Sequence, residues 1–327
     1  MKPARMITLA GMTVGVILSA CTFETNSNPS PAFTLPPPTG TSSPLPTSTI
    51  TLTSTLTSTP TFINCIPETA DYCIVDPFFT FQRPIAPPGT DKIDRSYPYG
   101  STEGKTRPPH HGVEFYNPSG MPVLAAATGT VYFAGNDTGR LFSPWSNFYG
   151  NLVVLKHELP GTTIEILYTL YAHLSKVEVA TDQVVTAGQK IGEVGTSGSA
   201  QGSHLHFEVR IDPQDYGSTL NPELWLSPHP GNGTLSLLAI DQNGKSIFPF
   251  FNIQYFPDRS TAAIAAFPVD SYSTETVNTR DPWNEIAALG DQPAGWYRVT
   301  FIWQGVLYER WAEIQAGGVT RMFLRLK

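Results

Sequence analysis

From about residue 78 onward, this 327-residue chain is written in short apolar runs, broken every few positions by Gly, Pro or Asn. Val123 to Ala134 is Ala-rich and then alternates through Thr130-Val131-Tyr132-Phe133. Asn151 to His157 carries Leu152-Val153-Val154-Leu155, and Thr163 to Leu170 alternates around Ile164, Ile166 and Leu167. Lys190 to Val194 and Leu205 to Ile211 follow. Such runs between turn-forming residues specify strands. No stretch carries the apolar stripe of a long amphipathic helix. The expected fold class is all-β. A compact antiparallel sheet domain comes first, and a second β unit follows a Pro-rich boundary at 213–232. In that second unit Thr234 to Ile240 reads as a strand, Gly295 to Phe301 and Gly305 to Trp311 as a hairpin, and Val319 to Leu326 as a closing strand. The spacing predicts an immunoglobulin-like or transthyretin-like β-sandwich in an accessory role.

The N-terminal part is of another kind. Lys2 and Arg5 precede the apolar stretch Met6 to Leu18, which is too short to span a bilayer comfortably. It ends in Leu18-Ser19-Ala20-Cys21, a tetrapeptide that resembles a bacterial lipobox. Residues 1–21 are therefore expected to be a lipoprotein signal peptide. Cys21 would become the lipidated first residue, holding an exported, extracytoplasmic protein to a membrane of the cell envelope through its acyl chains. Residues 22–61 are dominated by Ser, Thr and Pro and lack the apolar residues to fold. They read as a linker that, extended at roughly 3.1 Å per residue, reaches about 120 Å. Cys65 and Cys73 are the remaining cysteines, and in an exported protein they are expected to close a small disulfide loop. The folded part divides into residues 62–226, the sheet domain with an N-terminal extension, and 227–327, the sandwich. The net charge is −7 with no Lys/Arg cluster, which argues against nucleic acid as a partner. Oligomeric state is not legible.

The chemistry sits in three histidine-bearing segments: Pro108-Pro109-His110-His111-Gly112-Val113-Glu114, Tyr171-Ala172-His173-Leu174, and Gly202-Ser203-His204-Leu205-His206-Phe207-Glu208. Gly112 and the Pro-Pro pair disfavour a helix through the first. On a strand, residues two or four apart share a face, so His110 and Glu114 point together, and so do His204 and His206. A catalytic zinc takes three protein ligands from imidazoles and carboxylates and keeps one position open. His110, Glu114 and one of His204 or His206 meet that count.

In combination these segments resemble the lysostaphin/LytM-type zinc peptidases, whose pattern is His-x-x-x-Asp, a later Tyr-x-His-Leu and a final His-x-His. Val184 to Gly195 and Ser199 to Val209 extend the resemblance, which covers roughly residues 97–212. It implies Zn²⁺ as cofactor and hydrolysis of peptide bonds in peptidoglycan cross-links or stem peptides. It implies His110 and His206 as zinc ligands together with Glu114, and His173 and His204 as the catalytic pair beside the attacking water. A tyrosine upstream of the first motif, Tyr99 or Tyr97, would steady the oxyanion. Glu114 stands where the family has Asp, one methylene longer. That departure keeps open an alternative: a non-catalytic envelope lipoprotein that binds wall peptides or activates another cell-wall hydrolase.

The other histidines have plainer expectations. His111, of opposite strand parity to His110, reads as a surface or supporting residue, His157 as structural, and His229 as a solvated linker residue. The long segment Asn136 to Gly150, with Trp145, Phe148 and Tyr149, reads equally as a groove wall or a packed loop.

Overall fold

The computed structural model describes residues 65–66, 69–75, 79–160, 164–273, 277 and 284–326. The signal segment with Cys21 and the linker 22–61 lie outside the described residues. Among the described residues, no helix is long and apolar enough to cross a membrane.

The chain is all-β. It begins with β1 (Tyr72–Val75), β2 (Val113–Tyr116), β3 (Pro122–Leu124), β4 (Gly129–Asn136), β5 (Asn151–Glu158) and β6 (Ile166–Ala172). The short β7 (Lys176–Val177), β8 (Val184–Val185) and β9 (Lys190–Glu193) lead to β10 (His204–Arg210) and β11 (Thr219–Leu220). After one 3₁₀ turn at Pro222–Leu224 come β12 (Asn232–Ile240), β13 (Phe251–Phe256), β14 (Ala265–Val269), β15 (Ala287–Pro293), β16 (Gly295–Trp303), β17 (Val306–Ile314) and β18 (Val319–Arg325).

The first unit is one antiparallel sheet in the order β11-β10-β6-β5-β4-β8, with β2 also paired to β10. A small sheet, β3-β9-β7, lies beside it. All seven residues of β10 are buried, consistent with its central place. The core joins Val113 and Phe115 of β2, Val153 and Leu155 of β5, and Leu205, Phe207 and Val209 of β10.

The second unit is a sandwich of two four-stranded sheets, β1-β18-β12-β15 and β14-β13-β16-β17. Leu235 and Leu237 of β12 and Met322 of β18 meet Ile253, Tyr297 and Val299 from the other sheet. The expected hairpin is present as β16–β17, turning at Gln304 (φ 48) and Gly305 (φ 81). Two positive φ values in a two-residue loop suit the right-handed twist of the flanking strands.

Two features differ from the sequence reading. β18, expected to close the sandwich, lies inside its sheet, parallel to β12 and covered by antiparallel β1. β1 belongs to the N-terminal extension, yet its pairing is with the C-terminal sheet. Pairing there protects the edge of β18. Beside it Cys65 and Cys73 are joined by a disulfide, with Cα atoms 5.5 Å apart.

The two units share packing. Tyr272, Ala288 and Val319 belong to the same buried cluster as Val113 and Phe207. Arg95 bonds Glu223 at 2.6 Å and the Gly290 carbonyl at 2.8 Å. His229, expected to be solvated, instead bridges Asp91 (2.9 Å) and Asp291 (2.7 Å). Two carboxylates on either side of one imidazole account for the difference, and they raise its pKa, the Asp291 hydrogen bond contributing most.

Candidate active site

Strand register brings the site together. β2 and β10 are antiparallel neighbours with His206 opposite Glu114 and His204 opposite Tyr116. On the other flank of β10, His206 lies opposite Ala172, the last residue of β6. His173 follows it with φ 61, and its backbone N–H donates to the Tyr149 carbonyl at 3.0 Å. His110 stands in the loop before β2, tied to the loop over 100–101 by His110 N to Ser101 O (2.9 Å) and Gly100 N to His110 O (2.7 Å). Gly112 is required by close approach. A Cβ there would lie 2.5 Å from the Phe207 carbonyl and 2.8 Å from the His206 ring.

His110, Glu114 and His206 are the three residues whose ligand atoms converge. Glu114 Oε1 lies 2.9 Å from His110 Nε2 and 3.0 Å from His206 Nδ1, and those two nitrogens are 3.3 Å apart. The far nitrogen of each ring has its own acceptor: His110 Nδ1 at 3.3 Å from Pro98 O, His206 Nε2 at 2.8 Å from Glu208 Oε1. With protons placed on those far nitrogens, the near ones present lone pairs to a common point beside a carboxylate. A cation there would take the place of any proton shared among the three, leaving three electron-pair donors directed at one point. Glu114 Oε2 adds to this: it is buried and accepts no well-aligned hydrogen bond among the described residues, although His204 Nε2 lies 3.1 Å away. Imidazole nitrogen with carboxylate oxygen is a donor set that suits zinc.

The electrostatics are those of a buried site. Burial opposes ionisation of Glu114, but His206 and His110 hold it well below the usual carboxylate range. Burial likewise opposes protonation of His206, yet Glu114 and Glu208 together push it up to about 10. His173 is lowered to about 3, first by burial and then by its neighbours His206 and His204. His204 is also lowered, chiefly by burial. Both are neutral at pH 7. Each directs Nδ1 at a carbonyl, His173 at Ser197 O (2.9 Å) and His204 at Gly202 O (3.1 Å). Their Nε2 atoms are thereby left as proton acceptors.

These residues line an open cleft of about 400 Å³. The aromatic loop settles into both of its expected roles. Trp145 and Phe148 wall the cleft, while Tyr149 is fully buried beneath it. Tyr99 is not at the cleft. Its hydroxyl donates to the Thr219 carbonyl at 2.9 Å, and its ring packs edge-on against Tyr272. Its bonds to Thr219 hold it inward, and of the two tyrosines Tyr97 is the one left at the cleft, stacked on His110 at 4.1 Å. Burial raises the Tyr97 pKa, so its hydroxyl stays a donor at neutral pH. His111 is not a surface residue. It is buried, stacked on Tyr216 at 3.8 Å and 3.2 Å from Thr219 Oγ1, and burial lowers its pKa to about 3. His157 is buried between Thr128 O (3.0 Å) and Thr169 Oγ1 (2.7 Å).

The sequence reading assigned no role to Glu208 or Arg210, and took Tyr149 only as part of the aromatic loop. Arg210 Nε donates to Glu208 Oε2 at 2.5 Å, and Tyr149 Oη donates to Glu208 Oε1 at 2.5 Å. Arg210 also reaches Tyr149 Oη (2.7 Å) and the Phe142 carbonyl (2.9 Å). The signal was available as strand parity: 204, 206, 208 and 210 fall on one face of β10.

Residues 108–222 match peptidase family M23. The chain is 37% identical over 121 residues to the DD-carboxypeptidase/endopeptidase Mpg of Neisseria meningitidis, covering 37% of this chain and 24% of that protein. It is 31% identical over 128 residues to the murein hydrolase activator NlpD of Escherichia coli, covering 39% and 28%. The catalytic domain of lysostaphin from Staphylococcus simulans is 31% identical, covering 40% of this chain and 88% of that one, with a TM-score of 0.31. The chain thus spans about a quarter of the length of these two curated relatives.

Proposed function

We propose, on the premise that residues 108–222 form a peptidase family M23 domain, that this protein is a zinc-dependent endopeptidase that hydrolyses peptide bonds of peptidoglycan cross-links or stem peptides. The observation that carries the reading is the convergence of His110 Nε2, Glu114 Oε1 and His206 Nδ1, with the far nitrogen of each ring facing an acceptor. Zinc held there would supply Lewis acidity, polarising a carbonyl and acidifying water. Glu208 fixes the tautomer and ring plane of His206, as an outer carboxylate does for a ligating imidazole.

The remaining steps belong to the protein. The attacking water gives its proton to the Nε2 of His204 or His173, and the imidazole returns it to the departing amine. His204 is the better base of the two. Glu114 Oε2, 3.1 Å from its Nε2, stabilises the imidazolium as it forms, whereas burial above all holds His173 down to about 3. The Tyr97 phenol donates to the developing oxyanion. The extra methylene of Glu114 is compatible with this scheme, since its carboxylate reaches both imidazoles.

The purified protein is expected to bind one zinc per chain and to cleave cross-linked wall peptides. Glu114→Ala should lose the metal. His204→Ala should keep it while turnover falls about 10²–10⁴-fold. A chain that neither binds zinc nor cleaves would instead support the second reading, a wall-peptide binder or hydrolase activator, which the similarity to NlpD favours. Lipidation of Cys21 completes the proposal by placing the enzyme at the envelope. Labelling with a radioactive fatty acid should mark the wild type and not Cys21→Ala.

A further inference from the structure

A second cavity, of about 560 Å³, adjoins the cleft, and Ser96 and Glu103 on the cleft wall line both. The far side of that cavity comes from the C-terminal sandwich: Phe267 and Val269 on β14, Leu289 on β15, and Phe250 just before β13. Phe250 is 58% exposed, whereas Phe251 beside it is fully buried. Together Phe250, Phe267, Val269 and Leu289 give this wall an apolar face. Asp270 places a carboxylate on the same lining. Apolar walls with a few polar groups, at this volume, are the ordinary make-up of a ligand site.

The groove is also preformed. Arg95, at its base, is tied to Glu223 and to the Gly290 carbonyl. Gly100 (φ 75) lies so close to the Tyr272 ring that any Cβ would strike it. The 95–103 segment is therefore pinned against the sandwich, and little ordering free energy is lost on binding.

We propose that this groove, which shares the Ser96–Glu103 wall with the cleft, is a second subsite that holds the second peptide arm of a cross-linked wall substrate; the proposal rests on the peptidase reading above. A single stem peptide is accommodated by the cleft alone. A cross-linked dimer carries two arms that part from the bridging bond, and the second needs a channel that opens from the same wall. Alanine methyls match the Phe250–Phe267–Leu289 surface, and the ammonium group of a diamino acid matches the carboxylate of Asp270. The C-terminal sandwich thereby sets a preference for cross-linked over single-stranded substrate.

The test compares a purified cross-linked peptide dimer with a single stem peptide on the zinc-loaded full protein. Phe250→Ala and Asp270→Asn alter exposed positions and leave the cleft intact. Calorimetric Kd for the dimer should weaken about tenfold in Phe250→Ala, with the single stem within about twofold of wild type. In turnover the same variant should raise KM for the dimer and leave kcat unchanged. Equal losses for both peptides, or no loss for the dimer in either variant, would overturn the subsite. If the wild type binds the dimer without cleaving it and Phe250→Ala still loses that binding, the groove stands and the peptidase reading fails.

Discussion

At the scale of the residue, the site depends on buried groups that support its histidines. His206 is oriented by Glu208, and Glu208 is oriented in turn by Arg210 and Tyr149, all of them buried. Glu208→Gln preserves shape but leaves Arg210 without its buried anionic partner and weakens the grip on His206. Zinc affinity should fall about 10–100-fold, as for other outer-shell partners of ligating histidines, measured by competition with a chromogenic chelator. An unchanged affinity would reduce Glu208 to a packing role. The convergence of His110, Glu114 and His206 was legible in the sequence, because a cation site needs those residue types at those spacings. Tyr97 and Tyr99 were not separable there, because the difference between them is one of direction, decided by which hydroxyl meets Thr219.

At the scale of the element, local patterning named most strands but could not name their partners. β10 was readable from its alternation, and its pairing with β2 on one flank and β6 on the other is what converts three distant motifs into one site. β18 reads as a final strand in any sequence. Its interior position follows from β1, which comes from near the opposite end of the described chain. The turn around His229 gives an element-scale prediction. The pKa of His229 is raised in the folded state, so its bridge to Asp91 and Asp291 contributes fully below the ordinary value of 6.5 and is lost as pH rises through the raised value. The side chain is 40% exposed, so the effect is modest. The melting temperature of wild type should exceed that of His229→Gln at about pH 5.5, and the gap should close by about pH 9. A gap that widens with pH would show that the bridge is not the source.

At the scale of the whole molecule, the sheet domain and the sandwich are joined by more than a linker. The buried cluster that holds Val113 and Phe207 also takes in Tyr272, Ala288 and Val319, and Arg95 bonds across to Gly290. Calorimetry should therefore record one cooperative transition, and removal of residues 227–327 should leave an aggregating remainder that has lost part of its core. Two well-separated transitions would mark the units as independent. The sequence conveyed an all-β chain, but it conveyed nothing of this shared core, because the residues that build it are individually ordinary. The disulfide and β1 carry a different consequence, a mechanical one. Any tension that reaches the folded part from the N-terminal side arrives at the Cys65–Cys73 loop and is taken up by β1, whose ladder with β18 is loaded in shear when pulled along the strand axis. The force passes into the C-terminal sandwich before it meets β2 or β10, so the geometry around His110, Glu114 and His206 lies off the load path.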